Sequence, residues 1–300
     1  MKEASKAALI SIVFFAFFLG FGAYNYFSFG VVNNSIDFAV HWGKVQDLTK
    51  YPVYPGGYHV LFSVFDSSEL LFYIANIALI CLIVPSLLYF GTKTWWATLI
   101  YFCGVSLPHL WIYGATYPQA FVFTLLIIYL LNRKKPLIFA LCTMLASVVH
   151  KEGVYLFALI LVAEVFEYLA NKVWACIKPK MGLGEFSLAG AVVLRVQKFN
   201  DIWQLLFFLV TQISLPIWFF GKTVFKKPFW LVLVIAPLFL LQIDARLISI
   251  TQLALIFVTA PEIAKSKHKK IVIALLGIQL VFFLLDFGLA TQSLIKTKSF

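Results

Sequence analysis

The chain reads as an all-α polytopic membrane protein, and three observations carry that class. Of its 300 residues, 62% are hydrophobic and only 12% are charged, with a mean hydropathy of +0.93; ordinary soluble domains carry about 25% charge. A chain of this composition cannot cover itself with polar groups and has to be solvated largely by lipid. Its apolar residues fall in long unbroken runs such as KPFWLVLVIAPLFLLQ, whereas a transmembrane barrel shows short segments of alternating polarity. The net charge of +11 sits in short groups between those runs, as at Arg133, Lys134 and Lys135, at Lys222, Lys226 and Lys227, and at Lys265, Lys267, Lys269 and Lys270. That is the positive-inside pattern with attraction to anionic membrane lipids, and no nucleic acid is implied.

Lys2 and Lys6 precede AALISIVFFAFFLGFGAYNYF, a run too long and too aromatic at its end for a cleaved leader, so residues 7–29 are expected to stay as a first span. Residues 32–58 follow as a first outer loop, broken by Pro52, Pro55, Gly56 and Gly57. Upstream of the break, residues 34–50 suit an interfacial helix with Asp37, His41, Lys44 and Leu48 on one face. Downstream, Gly57 to Phe65 starts a helix that returns Tyr58 and His59 toward that face. Further apolar segments cover 69–90, 95–107, 117–131, 137–149, 153–170, 201–220, 229–242, 247–261 and 271–287. Several fall short of the ~20 residues a full crossing needs, notably around His109 and His150; short helices are tolerated where their ends line a wet cavity.

With Lys2 and Lys6 in the cytoplasm, the Asp37 loop lies outside. Counting crossings from both ends agrees only if the connecting segment 171–200 holds one more crossing, for which GEFSLAGAVVL is the candidate. The expectation is one transmembrane domain over residues 1–300 with about ten or eleven helices. Cys81, Cys103, Cys142 and Cys176 are widely separated and read as ordinary thiols, with neither a disulfide framework nor a zinc site.

This topology gathers Asp37, His41, His59, His109, His150, Lys151, Glu152, Asp244 and Arg246 on the outer side. Asp37 is the candidate base: a carboxylate beside low-dielectric surroundings takes a proton from a hydroxyl as that oxygen attacks an activated carbon. The bland alternative is a helix start, which Asn33, Asn34 and Ser35 also suit. His41, one turn on, either orients Asp37, contacts phosphate or shares a divalent metal with it. His59 and His109 stand beside turns that interrupt apolar helices, as pocket residues or as satisfied structural histidines. His150, Lys151 and Glu152 form a polar island between two apolar runs, where charges are usually paired or functional. Arg246 offers a planar donor fork suited to phosphate, with Asp244 to orient it; a structural Asp–Arg pair is the alternative.

Four segments together resemble the GT-C superfamily of integral-membrane glycosyltransferases. They are the acidic start of the outer loop at Asp37-Phe-Ala-Val-His41-Trp and Tyr51-Pro-Val-Tyr-Pro55-Gly-Gly-Tyr58-His59, which is similar to the family's YPPGYH segment. SVVHKEGVYLF and the late Asp244-Ala-Arg246-Leu complete the set. The resemblance implies that Asp37 activates the acceptor, that Tyr58 and His59 shape the donor cavity, and that Arg246 contacts the lipid phosphate. Here Asp37 is followed by Phe38 in place of a second acid, and Leu247 stands where the family has Tyr.

The expected function is transfer of a sugar from a polyprenyl-phosphate donor to a hydroxyl of a lipid, glycan or protein, with inversion, at the outer face of a prokaryotic plasma membrane. No cofactor is required beyond a divalent metal left open at Asp37 and His41. A transporter or lipid flippase is the chief rival, since broken helices serve alternating access equally well; a non-catalytic assembly subunit is the third.

Overall fold

The computed structural model describes residues 2–33, 35–50, 56–104, 108, 117–173, 228–230, 232–233 and 246–298. Among them every regular element is helical. Three helices among the described residues are long and apolar enough to cross a membrane: Glu3–Phe29, Glu69–Thr92 and Gly153–Ala170. The described residues also include two shorter apolar helices, Tyr117–Leu131 and Pro136–Val149. The expected crossings over 201–220, 229–242 and the connecting segment 171–200 fall largely outside the described residues.

The chain divides into two compact units, the first comprising Met1–Thr98, Pro108–Tyr155 and Phe283–Phe300, the second Leu99–Leu107 and Leu156–Phe282. In the first unit, α1 (Glu3–Phe29) ends at Gly30, whose φ of 71° is the left-handed conformation glycine supplies, and whose N–H donates to the Tyr26 carbonyl at 2.9 Å. Next, α2 (Ile36–Gln46) starts at Ser35, the side chain of which accepts from the Phe38 N–H at 3.5 Å, while Asn33 Oδ1 accepts from the Ser35 N–H at 2.8 Å. This helix is shorter than expected. Asp47 adopts an extended conformation and its carboxylate accepts from Thr49 N–H at 3.0 Å and Thr49 Oγ1 at 2.7 Å, a local turn that competes with helix continuation. Leu48 is therefore exposed beyond the helix and does not join the Asp37–His41–Lys44 face.

After the Pro-Gly-Gly break comes α3 (Gly57–Phe62), extended by one tight turn at Ser63–Phe65. The second long rod is built from α4 (Glu69–Ala78), capped by Ser68, and α5 (Val84–Thr92), joined through a widened π-type turn at Leu79–Ile83. Pro85 accounts for that turn: it offers no N–H, and its ring would press on the carbonyl one turn back. Then follow α6 (Trp95–Cys103), α7 (Tyr117–Leu131) and α8 (Pro136–Val149), with proline at the first position of α8 where its missing donor costs nothing. Helix α9 (Lys151–Val173) starts one residue after α8 stops.

In this unit α1 lies against α4 and α5, α5 against α7, α7 against α8, and the short pair α2 and α3 packs together with α3 resting on α8. The second unit contains α6 from Leu99 on, α9 from Leu156 on, α10 (Arg246–Lys265) and the first part of α11 (Lys269–Lys298), up to Phe282. Buried Leu253, Ile256, Ala260 and Ile263 recur along α10 at helical spacing, with Thr259 donating to the Leu255 carbonyl at 3.0 Å to satisfy its hydroxyl.

Candidate functional site

The outer-loop helices are seated by aromatic side chains. Phe38 of α2 meets Phe72, Tyr73 and Tyr117 at ring-centroid distances of 5.7, 6.2 and 6.0 Å, and Trp42 meets Phe72 at 5.6 Å. Tyr58 of α3 stacks on Phe62 at 4.5 Å. Such pairs contribute about 0.5–1.5 kcal/mol each beyond burial, which is ample to hold two helices of 11 and 6 residues that are too short to persist alone.

Tyr58 itself is fully buried and donates to Asn76 Oδ1 at 2.6 Å; the Asn76 amide donates in turn to the Phe72 carbonyl at 2.9 Å. Burial pushes the Tyr58 hydroxyl well above its usual range, so it remains a donor. Its place in the site is thus to fix the start of α3, and with it the next residue, His59. Asn76 escaped the sequence reading, although a single amide inside the apolar run LLFYIANIALI was its signal.

Position is also set by two glycines. A side chain on Gly57 would come within 2.6 Å of the Val148 carbonyl oxygen, and one on Gly153 would strike the Ala146 carbonyl. At the break between α8 and α9, His150 is extended, donates its N–H to Ala146 at 3.0 Å, and accepts from Gly153 N–H at 2.8 Å. Of the polar island expected at this point, His150 occupies a tight helix-to-helix joint and is buried.

Three histidines from three separate stretches meet there. His41 Nδ1 and His59 Nε2 stand 3.0 Å apart, with rings at 25° and centroids 5.3 Å apart. His150 lies near enough to act electrostatically on His41, as does the ammonium of Lys44. The relative exposures of His41, Lys44, His59 and His150 are 4, 2, 1 and 4%. Burial first, then those neighbouring charges, holds the His41 imidazole down to about 3, so it is neutral at ordinary pH. Burial also lowers Lys44. His41 is thus a neutral hydrogen-bonding group.

Asp37 is half-exposed in the first turn of α2, and its carboxylate takes no hydrogen bond or ion pair from a described residue. It stands one turn before His41 on the same face. Among the described residues, no group of three or more His, Cys, Asp or Glu side chains is arranged to hold a metal ion. For the pair Asp37 and His41, one His41 nitrogen is already engaged by His59, and a nearby ammonium opposes a second cation.

The structure thus brings His41 together with His59, His150 and Lys44, while Asp37 is placed only by its position one turn earlier on α2. His109 and Asp244 lie outside the described residues, as do the side chains of Lys151, Glu152 and Arg246; Arg246 opens α10 of the second unit. In comparisons with known proteins, no family model, no curated protein and no solved structure matches this chain.

Proposed function

We propose that the chain is a membrane glycosyltransferase that moves a sugar from a polyprenyl-phosphate donor to a hydroxyl acceptor at the outer membrane face. The GT-C-like bundle of ten or eleven crossings belongs to this proposal, as do the multi-pass topology and the prokaryotic plasma membrane. One observation carries it: a half-exposed carboxylate, Asp37, stands in the first turn of a short helix that carries the buried His41–His59 contact one turn further on and packs Phe38 against the membrane-length helix Glu69–Thr92. A base in such a setting is poised to accept a proton without an ion pair to break first. The donor arrives activated through its phosphate, so a single displacement with inversion needs one base and no protein nucleophile.

The test incubates purified protein with a panel of polyprenyl-phosphate sugars and acceptor alcohols, comparing wild type with Asp37→Asn, with and without chelator. Sugar transfer that disappears in the Asn variant supports the proposal; equal turnover by both removes the base. The rival reading, a transporter or lipid flippase, draws on the short α7 and α8 and on the helix break at His150. It predicts movement of a fluorescent lipid-linked sugar across vesicles without any glycosidic product.

A further inference from the structure

Three basic turns, far apart in the sequence, meet at the end of the first unit remote from the histidine contact. The rings of Phe72 and Tyr117 lie 5.8 Å apart near the starts of the α4–α5 rod and of α7, and α7 then packs against α5. Both run away from His41, α7 for about 22 Å, and α8 returns to place Val148 beside Gly57. The turn at Arg133, Lys134 and Lys135 therefore lies at the same end as Lys93, which follows α5. The start of α1 is tied there as well, since Glu3 Oε2 accepts from Thr94 Oγ1 at 3.3 Å and from the Trp95 N–H at 3.4 Å. These segments bring Lys2, Lys6, Lys93, Arg133, Lys134 and Lys135 together with one acid, Glu3.

Two of the six cations stand apart. Lys6 lies 3.7 Å from the Glu3 carboxylate and 5.4 Å from the centroid of the Trp95 ring, and Lys135 donates to Asn132 Oδ1 at 3.1 Å. Lys93 and Lys134 are exposed, and neither has an acidic partner among the described residues. They are also the two non-glycine residues that the described backbone holds in the left-handed region, with φ of 57° and 76°. Glycine takes that conformation freely, whereas a β-carbon is strained in it. Each turn thus keeps an ammonium against the local backbone preference, and residues held in this way gather at binding sites. Exposed hydrocarbon adjoins both. The Lys93 ammonium rests 3.7 Å from the centroid of Phe90, which is 65% exposed, and Leu137, three positions after Lys134, is 68% exposed. Cation beside hydrocarbon matches a phosphate head group above its acyl chains; an acidic soluble protein would match the charge alone.

We propose that Lys93 and Lys134 are binding contacts for anionic phospholipid, each ammonium meeting a head-group phosphate while Phe90 and Leu137 lie along the acyl chains. Neither contact requires sugar transfer. Basic composition alone attracts such lipids diffusely, with every cation equivalent; the fold singles out these two.

The experiment places the full chain in nanodiscs of phosphatidylcholine, with and without phosphatidylglycerol, and follows thermal unfolding. The double variant Lys93→Gly/Lys134→Gly removes both ammoniums at positions whose backbone suits glycine. Its partner Lys2→Gln/Lys135→Gln removes the same charge from the same end. Bound phospholipid predicts that phosphatidylglycerol raises the midpoint of wild type and of Lys2→Gln/Lys135→Gln, and that the rise is lost in Lys93→Gly/Lys134→Gly. In phosphatidylcholine alone both variants unfold close to wild type. Equal loss of the rise in the two double variants shows a diffuse charge effect and overturns the assignment. A rise that survives in the glycine variant, or is absent in wild type, overturns it as well. A glycine variant that unfolds earlier by the same margin in both membranes reduces the two lysines to neutralising helix ends. An equal rise from inorganic phosphate added to phosphatidylcholine discs shows a free-anion site and removes the lipid.

Discussion

His41 Nδ1 and His59 Nε2 face each other at 3.0 Å in a buried contact, although they stand 18 positions apart in the sequence on two different helices. One ring donates and the other accepts, so together they hold a single shared proton in that contact. Adding a second proton would place a charge inside a dry cluster that already contains an ammonium.

Acid should therefore loosen the protein. His41 is held near 3 in the folded state against 6.5 when free, so the folded chain binds fewer protons and its stability rises with pH. The contribution is fully present above about 6.5 and drains away as pH falls toward 3. At pH 5 the loss is about 2 kcal/mol. Thermal unfolding in detergent at pH 7.5 and pH 5 should show a clear drop in midpoint, and His41→Gln should flatten the dependence.

Tyr58→Phe should destabilise by about 1–3 kcal/mol, because it strips Asn76 Oδ1 of its 2.6 Å donor in an apolar setting. Asn76→Leu alone should cost a similar amount. The double variant should cost less than the sum, since no orphaned partner then remains. A double-mutant cycle in thermal or denaturant unfolding measures this directly; strict additivity would mean that the two side chains act independently.

Gly57→Ala should separate α3 from α8, since a methyl group there meets the Val148 backbone, which cannot swing aside. A cost of about 1–3 kcal/mol is expected, together with reduced sugar transfer as His59 moves from His41. Gly56→Ala, with open space around it, is the matched control and should behave as wild type in both assays.

Asp37→Asn should leave the unfolding midpoint unchanged, because no ion pair or hydrogen bond to the carboxylate is lost among the described residues. Turnover should fall about 10²–10⁴-fold. An Asn variant that unfolds early would reveal a structural carboxylate instead.

Helix placement was largely legible in the sequence, because hydropathy sets it: the expected 7–29, 69–90, 117–131, 137–149 and 153–170 match α1, the α4–α5 rod, α7, α8 and α9 within a few residues. The end of α2 was misjudged for a local reason. Four-three-four spacing carries a helix on to Leu48, yet the Asp47 side chain bonds Thr49 and breaks it first. The approach of His59 to His41's face followed from the Pro-Gly-Gly turn, but their direct contact did not, since it depends on the Tyr58–Asn76 bond and on Gly57 nesting against Val148. Periodicity within one segment carries no information on such long-range partners. Lys44 illustrates the same point: spacing placed it beside His41, while its deep burial became evident only with the neighbouring helices in place.

The widened turn at Leu79–Ile83 has a bearing on how the second long rod tolerates change. An inserted residue of this kind resets the screw phase, so Phe72, Tyr73 and Asn76 before it and Val84 and Leu88 after it follow separate azimuths, each buried. Removing any one residue between them would restore a uniform winding and swing the distal half by about 100° relative to the proximal half. The rod thus behaves as two keyed segments on one shaft, and its neighbours on either stretch are matched to an offset that a straight helix would erase.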